Sequence, residues 1–161
     1  MNKVIEADFL PRGTNADFSW PRSIGVSGRK ERRRILIVDN DPNTTHLVKV
    51  LLEKTGRYLV VEENDAAKDH QSARNFRPDL ILLDVVMPET GGGEVAARIE
   101  ADPELHNAPI VFLTGLVTRA EVKSGLRVQG HPFLAKPVSI PELINTIEQH
   151  LLACVASHVS L

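Results

Sequence analysis

The sequence predicts an α/β fold in which helices cover both faces of a five-stranded parallel sheet. Three observations support this fold: five short apolar runs, segments of helical spacing between them, and a regular alternation of the two. The runs are hydrophobic without interruption, as strands buried on both faces of a parallel sheet require. They span 35–38, 58–61, 80–83, 110–113 and 133–135.

The first helix is predicted from its spacing and from signals at both of its ends. Asp41 is a suitable N-cap, Pro42 fits the first helical position, and Gly56 lies beyond the helix end. The positions that recur at intervals of three and four are Leu47, Val50, Leu51 and Lys54.

Further helices are predicted between and after the later strands. Weaker helical spacing covers 64–76 and 94–101, and the least regular segment is 118–128. The last helix follows Ser139 and has the clearest apolar stripe, formed by Ile140, Leu143, Ile144, Ile147 and Leu151. By analogy, five strands in a chain segment of this length suit the flavodoxin-like strand order 2-1-3-4-5.

Charge is spread unevenly and divides the chain. Residues 1–34 contain eight Lys or Arg and four acids, whereas the remainder contains eleven basic and seventeen acidic residues. The first segment has neither helical nor alternating periodicity and is interrupted by Pro and Gly. We therefore expect a basic, flexible N-terminal arm over 1–34, one domain over 35–152, and a C-terminal tail over 153–161.

Composition and hydropathy argue against several classes of protein. The uninterrupted apolar runs are far shorter than the roughly 20 residues that cross a bilayer. Glu6 and Asp8 interrupt what would be the apolar part of a secretory signal. The single cysteine, Cys154, cannot form an internal disulfide, which fits a reducing compartment. A cytoplasmic protein without membrane association is expected, and no DNA-binding motif is present.

Polar side chains follow the apolar runs, where the strands are expected to end, and those after four of the runs suggest a site. They are Asp39, Asn40 and Asp41 after the first run, Asp84 after the third, Thr114 after the fourth and Lys136 after the fifth. The carboxyl ends of parallel strands meet at one edge of the sheet, where open α/β folds bind ligands. These side chains are therefore expected to share one crevice.

The chemistry of these side chains indicates phosphoryl transfer. Crowded carboxylates repel one another, and oxygen ligands without nearby His or Cys favour a hard divalent cation, Mg²⁺ or Mn²⁺. A hydroxyl donor and a lysine charge suit the oxygens of a phosphoryl group. The crevice is therefore predicted to transfer a phosphoryl group to an aspartate nucleophile.

The predicted domain resembles a response-regulator receiver domain, the phosphoacceptor half of two-component signalling. The resemblance covers nearly all of 35–152 and depends on four motifs in order along the chain. They are Ile-Leu-Ile-Val-Asp39-Asn40-Asp41-Pro, Leu-Leu-Asp84-Val-Val-Met87-Pro88, Leu113-Thr114-Gly115 and Phe133-Leu-Ala-Lys136-Pro137. They resemble the family's acidic pair, its phosphoacceptor loop, its Thr or Ser before a small residue, and its aromatic, Lys and Pro.

This resemblance implies a phosphoacceptor, Asp84, and a set of groups around it. The expected metal ligands are Asp39, Asn40, Asp84 and the backbone carbonyl of Val86. The groups expected to contact the phosphoryl oxygens are Thr114, the Gly115 amide and Lys136.

The resemblance also implies roles in switching and timing. Phe133 is expected to be the switch aromatic that senses the movement of Thr114 toward the phosphate. Pro137 is expected to follow a cis peptide bond that fixes the lysine loop. Val86 and Leu116 are expected to set the lifetime of the phosphorylated state, because both are apolar and neither can orient an attacking water.

The expected partners follow from the same family. A sensor histidine kinase or a phosphotransfer protein is expected as the phosphodonor, and a protein target, which the sequence does not identify, is expected downstream. The chain is expected to act as a stand-alone receiver or a phosphorelay shuttle, and a homodimer is left open. These expectations include neither nucleic acid nor a membrane.

The residues leave two alternative functions open. Val38-Asp39-Asn40-Asp41 also resembles the nucleophile motif of haloacid-dehalogenase-type phosphatases, with Asp39 as nucleophile. Those enzymes need a further acidic pair on a later strand, and the acids after Lys136 are Glu142 and Glu148, both in a predicted helix. The second alternative is a pseudo-receiver that binds partners without phosphorylation, which is suggested by Asn40 where relatives usually have an acid.

Overall fold

A computed structural model of the chain describes residues 31–116 and 129–159, where strands and helices alternate as predicted. The strands are β1 (Arg33–Val38), β2 (Tyr58–Glu63), β3 (Leu80–Asp84), β4 (Ile110–Thr114) and β5 (Phe133–Ala135). The helices are α1 (Pro42–Glu53), α2 (Asp69–Phe76), α3 (Gly92–Ala101) and α4 (Ile140–Val159). The helix predicted over 118–128, and the arm as far as residue 30, lie outside the described residues.

The five strands form one parallel sheet in the order β2-β1-β3-β4-β5. This confirms the predicted order 2-1-3-4-5. The central strand β1 pairs on both sides, so that Ile35 lies opposite Val60 on β2 and Leu80 on β3. The uninterrupted apolar runs of the sequence are therefore explained by strands that have a covered surface on each face.

The core consists of two layers, one on each face of the sheet. Ile35 and Ile37 pack with side chains of α1 and α4, whereas Leu36 and Val38 pack with side chains of α2 and α3. This division follows from strand geometry, because successive side chains point to opposite faces. The two layers hold the strands in place and thereby fix the edge at which the polar side chains meet.

Helix α1 buries a face different from the one its spacing suggested. Its buried residues are Thr45, Val48 and Leu52, whereas Leu47 is 59% exposed. Apolar residues occur on adjacent sides of this helix, so a pattern of threes and fours fits both faces. The N-cap was predicted correctly, because the Asp41 side chain accepts a hydrogen bond from the Asn43 amide at 3.0 Å.

Two helices have ends that differ from the expected ones. Helix α2 begins at Asp69 and not at 64, because the preceding segment forms a turn in which Asp65 accepts from the Ala67 and Lys68 amides. Helix α4 continues to Val159, so residues 153–159 of the expected tail are helical. Its expected stripe is confirmed, since Leu143, Ile147 and Leu151 are buried. In the described part of the chain, no helix combines the length and apolar character needed to cross a membrane.

Candidate functional site

The site lies at the carboxyl edge of the sheet, where four strands end side by side. Asp39 follows β1, Asp84 ends β3, Thr114 ends β4 and Lys136 follows β5. The first three side chains are buried, with exposures of 5% or less. The order β1-β3-β4-β5 therefore gathers residues that are far apart in the sequence at one edge.

Lys136 joins the two carboxylates of the site. Its Nζ lies 2.5 Å from Oδ2 of Asp39 and 3.4 Å from Oδ1 of Asp84. The lysine side chain is 24% exposed, so the ammonium lies at the boundary between the buried carboxylates and solvent. A single positive charge in this position partly neutralises the pair and leaves net negative charge, which attracts a further cation.

The environment of Asp84 opposes its ionisation in part. Burial raises the pKa of the Asp84 carboxyl above its ordinary value. The Lys136 ammonium lowers that pKa and the Asp39 carboxylate raises it, and the balance remains upward. Asp84 is thus a desolvated carboxylate that is held in place by one lysine.

The β1–α1 loop fixes Asp39 from two sides. Oδ1 of Asp39 accepts a hydrogen bond from the Asp41 amide at 2.9 Å, while Oδ2 faces Lys136. The backbone carbonyl of Asp39 accepts from the side-chain amide of Asn64 at 2.7 Å, and the same amide contacts Oγ1 of Thr45 at 3.0 Å. Sequence reasoning missed Asn64, although its position directly after β2 places it at the same edge as the other polar side chains.

The β4 and β5 loops are joined through the backbone. The Lys136 amide donates to the carbonyl oxygen of Thr114 at 2.8 Å, which extends the β4–β5 ladder past the strand ends. Oγ1 of Thr114 accepts from the Leu116 amide at 3.1 Å, so its own hydroxyl proton is not used in that bond. Gly115 is exposed, and nothing lies within 4 Å of where its Cβ would be.

Three further residues predicted for the site lie at its rim or below it. Val86 is 54% exposed and Leu116 is 72% exposed, and both follow strand ends at this edge. Phe133 is buried in the core layer that faces α2 and α3. The peptide bond before Pro137 is cis, as expected.

Gly92 supports the loop between β3 and α3 in a way that the sequence did not reveal. Its amide donates to the carbonyl oxygen of Val85 at 3.0 Å, and a Cβ at this position would lie 2.1 Å from the backbone oxygen of Asp84. Helix α3 therefore starts in direct contact with the backbone of Asp84, and only glycine fits at this position.

The side chains at this edge fit a hard divalent cation. One ammonium contacts both Asp39 and Asp84, so oxygens of the two carboxylates lie within reach of a single small cation. Asn40 follows Asp39 in the chain and is exposed, and its side chain carries an amide oxygen, a ligand that such cations accept. Within 31–116 and 129–159, no cluster of three or more His, Cys, Asp or Glu is arranged to hold a metal, so a cation would depend on amide and carbonyl oxygens as well.

Comparison with known proteins gives a consistent family. The sequence-family model described as "Response regulator receiver domain" matches residues 35–148. The polar-differentiation response regulator DivK of Brucella anthropi is 29% identical over 119 residues, which cover 74% of this chain and 96% of DivK. A 14.6 kDa protein of Leptolyngbya boryana is 35% identical over 120 residues, which cover 74% of this chain and 90% of that protein.

Solved structures resemble the fold over a similar length. The chemotaxis protein CheY4 of Vibrio cholerae has a TM-score of 0.64 and 25% identity, covering 74% of this chain and 98% of CheY4. The receiver domain of a histidine kinase from Syntrophus aciditrophicus has a TM-score of 0.62 and 29% identity, covering 80% of this chain and 92% of that domain.

Proposed function

This chain belongs to the response regulator receiver domain family, and from that premise we propose that it accepts a phosphoryl group on Asp84. The observation that best supports the proposal is the position of Lys136, whose Nζ lies 2.5 Å from Asp39 and 3.4 Å from Asp84. The arrangement offers a nucleophilic carboxylate and a fixed positive charge at the same strand edge. The phosphodonor is a phosphohistidine of a sensor histidine kinase or of a phosphotransfer protein.

Asp84 supplies the nucleophile in this reaction. One carboxylate oxygen forms a bond to phosphorus as the phosphorus–nitrogen bond of the phosphohistidine breaks, and the electron pair of that bond returns to the imidazole. Burial favours the attack because a partly desolvated carboxylate loses little hydration when it reacts. Lys136 and the Thr114 hydroxyl bind the phosphoryl oxygens, and the exposed Gly115 amide adds a third donor.

A divalent cation, Mg²⁺ or Mn²⁺, completes the proposed site. It would be held by Asp39, Asn40, Asp84 and the backbone carbonyl of Val86. When bound, the cation neutralises negative charge that accumulates between the carboxylates and the phosphoryl group. Asp39 is held for this role by the Asp41 amide on one oxygen and by Lys136 on the other.

We propose that a conformational change at Thr114 and Phe133 transmits the effect of phosphorylation to a protein partner. Thr114 now accepts a hydrogen bond from the Leu116 amide, and turning its hydroxyl toward the phosphate would break or bend that bond. Phe133 lies on β5, in register with Phe112 on β4, so a movement of the β4 end changes the space around it. The output is a change of surface shape in a cytoplasmic signalling pathway.

Intact-mass measurement tests the proposal. The protein is incubated with Mg²⁺ and a small acyl phosphate, and wild type is compared with Asp84→Asn. The matched control is Asp65→Asn, which removes an exposed carboxylate from the loop after β2. Wild type and the control are expected to gain one phosphoryl group, and Asp84→Asn none.

The alternatives make different predictions when released inorganic phosphate is also measured and Asp39→Asn is added. A pseudo-receiver gives no mass gain in any variant. A phosphatase with Asp39 as nucleophile releases inorganic phosphate steadily and loses this activity in Asp39→Asn but not in Asp84→Asn. Either result would overturn the phosphoacceptor assignment.

A further inference from the structure

A cavity of about 610 Å³ lies at the amino edge of the sheet, opposite to Asp84. It is formed where β1 and β2 begin and where the second half of α4 passes over them, and its lining includes Arg33, Arg57 and Leu152. This volume lies within the range of about 300–1,000 Å³ that is usual for pockets that bind small ligands. The cavity is separate from the proposed phosphorylation site, because the two lie at opposite ends of the strands.

The cavity combines an apolar surface with a small excess of positive charge, since four arginines and three acids line it. Leu152 is 67% exposed, and Val155 continues the exposed apolar surface of α4 one turn further on. Of these acids, Glu148 pairs with Arg57 at 3.3 Å and also accepts from the Tyr58 hydroxyl.

Two arginines of the lining account for the excess of positive charge. Asp79 accepts from the Arg34 amide at 2.7 Å. Arg32 and Arg33 form no ion pair with any residue in the described part of the chain. An occupant with apolar side chains and a negative charge would therefore complement this surface.

The chain itself provides such a segment next to the cavity. Glu31, the first described residue, is part of the cavity lining, so residues 1–30 are tethered at its entrance. The segment 17–20 is Asp-Phe-Ser-Trp, and Asp17 is the sole charged residue between Gly13 and Trp20. Ten residues separate Trp20 from Glu31, and the extended chain between the two spans up to about 40 Å.

We propose that Phe18 and Trp20 pack against Leu152 in this cavity, with Asp17 facing Arg32 and Arg33. Tethering favours this occupant over a second copy of the chain, because a linked segment is present at an effective concentration of about millimolar. The docked arm covers the outer face of the second half of α4. The docking does not require phosphorylation, so its test is independent of the function proposed for Asp84.

Intrinsic fluorescence tests the docking directly, because Trp20 is the single tryptophan of the chain. The full chain is compared with a synthetic peptide of residues 1–30. In the full chain, Trp20 is expected to emit at shorter wavelength and to be quenched several-fold less by acrylamide. Leu152→Asp is expected to shift both properties to those of the peptide. Leu47→Asp, a matched change at an exposed leucine of α1 outside the cavity, is expected to leave them unchanged.

A second variant keeps the test valid if Leu152→Asp disturbs the fold, which circular dichroism would reveal. Asp17→Lys changes only the arm and is expected to increase quenching, with a larger effect at low salt than at high salt. Emission of the wild type identical to that of the peptide would overturn the proposal. Emission that shifts on dilution of the protein would also overturn it, in favour of a second copy as the occupant.

Discussion

The start of helix α3 lies against the end of β3: a Cβ on Gly92 would lie 2.1 Å from the backbone oxygen of Asp84. Gly92→Ser is therefore expected to displace the β3–α3 loop and to lower the free energy of unfolding by about 1–3 kcal/mol. It should also slow phosphorylation by moving Asp84. Urea unfolding and intact-mass time courses measure the two effects.

Gly91→Ser is the matched control for this prediction. Nothing lies within 4 Å of a Cβ at Gly91, and its φ of −70° suits any residue. Serine is also a favoured N-cap, and Gly91 is the N-cap of α3. Equal loss of stability in the two variants would show that the contact with Asp84 is not the cause.

The side-chain amide of Asn40 should make the binding of Mg²⁺ weaker than a carboxylate at the same position would. Replacing it in Asn40→Asp adds one negative charge beside Asp39 and Asp84, and the gain in affinity for Mg²⁺ should be about 1–2 kcal/mol, or roughly tenfold. Calorimetric titration of Mg²⁺ into both proteins measures the difference. Equal or tighter binding by the wild type would contradict this prediction.

The rim of the site should give the phosphorylated protein a long lifetime. Val86 and Leu116 are 54% and 72% exposed, so their side chains are not packed in the loops that follow β3 and β4. Hydrolysis of an aspartyl phosphate needs a water held in line with phosphorus, and neither side chain can orient one. The double variant Val86→Asn with Leu116→Glu should lose its phosphoryl group faster than wild type, as followed by intact mass. Identical decay would remove this explanation of the lifetime.

A carboxylate remote from the site should make stability depend on pH. Asp102, whose side chain is 2% exposed, accepts hydrogen bonds from Arg74 at 2.6 Å and from His70 at 2.7 Å. The Arg74 guanidinium holds the pKa of Asp102 well below its ordinary value. A lowered pKa stabilises the fold above the pKa of the unfolded chain, about 3.9, and this contribution is lost as the pH falls further.

Asp102→Asn is therefore expected to be less stable than wild type at neutral pH, with a gap that narrows below about pH 4. Urea midpoints across this pH range measure the gap. Glu104→Gln is the control, since Glu104 forms an exposed ion pair with Arg77. A gap that stays constant with pH would show that Asp102 stabilises the fold through something other than its charge.

The sheet and the edge at which the polar residues meet could be predicted from the sequence for one physical reason. Uninterrupted apolar runs identify strands buried on both faces, and such strands are parallel, so Asp39 and Lys136 had to lie at the same edge. The strand order came from analogy and is confirmed. The family assignment followed from the residues at the strand ends and is also confirmed.

Other features depend on contacts that no local pattern contains. The bonds from Asn64 to Asp39 and Thr45 depend on β2 lying beside β1. The contact between Gly92 and Asp84 depends on how steeply α3 leaves the sheet. The buried face of α1 could not be chosen from spacing, because apolar residues lie on adjacent sides of the helix.

The contact between Asp39 and Lys136 spans 97 positions of the chain and includes a residue that follows the last strand. Because the ribosome releases the amino-terminal part of the chain first, Asp39 is made long before Lys136. The ion pair can therefore form only after β5 has emerged. A partly made chain, or one cut between the two residues and separated, has no pair of this kind. If Asp84 accepts a phosphoryl group as proposed, phosphorylation would therefore become possible only once the domain is complete.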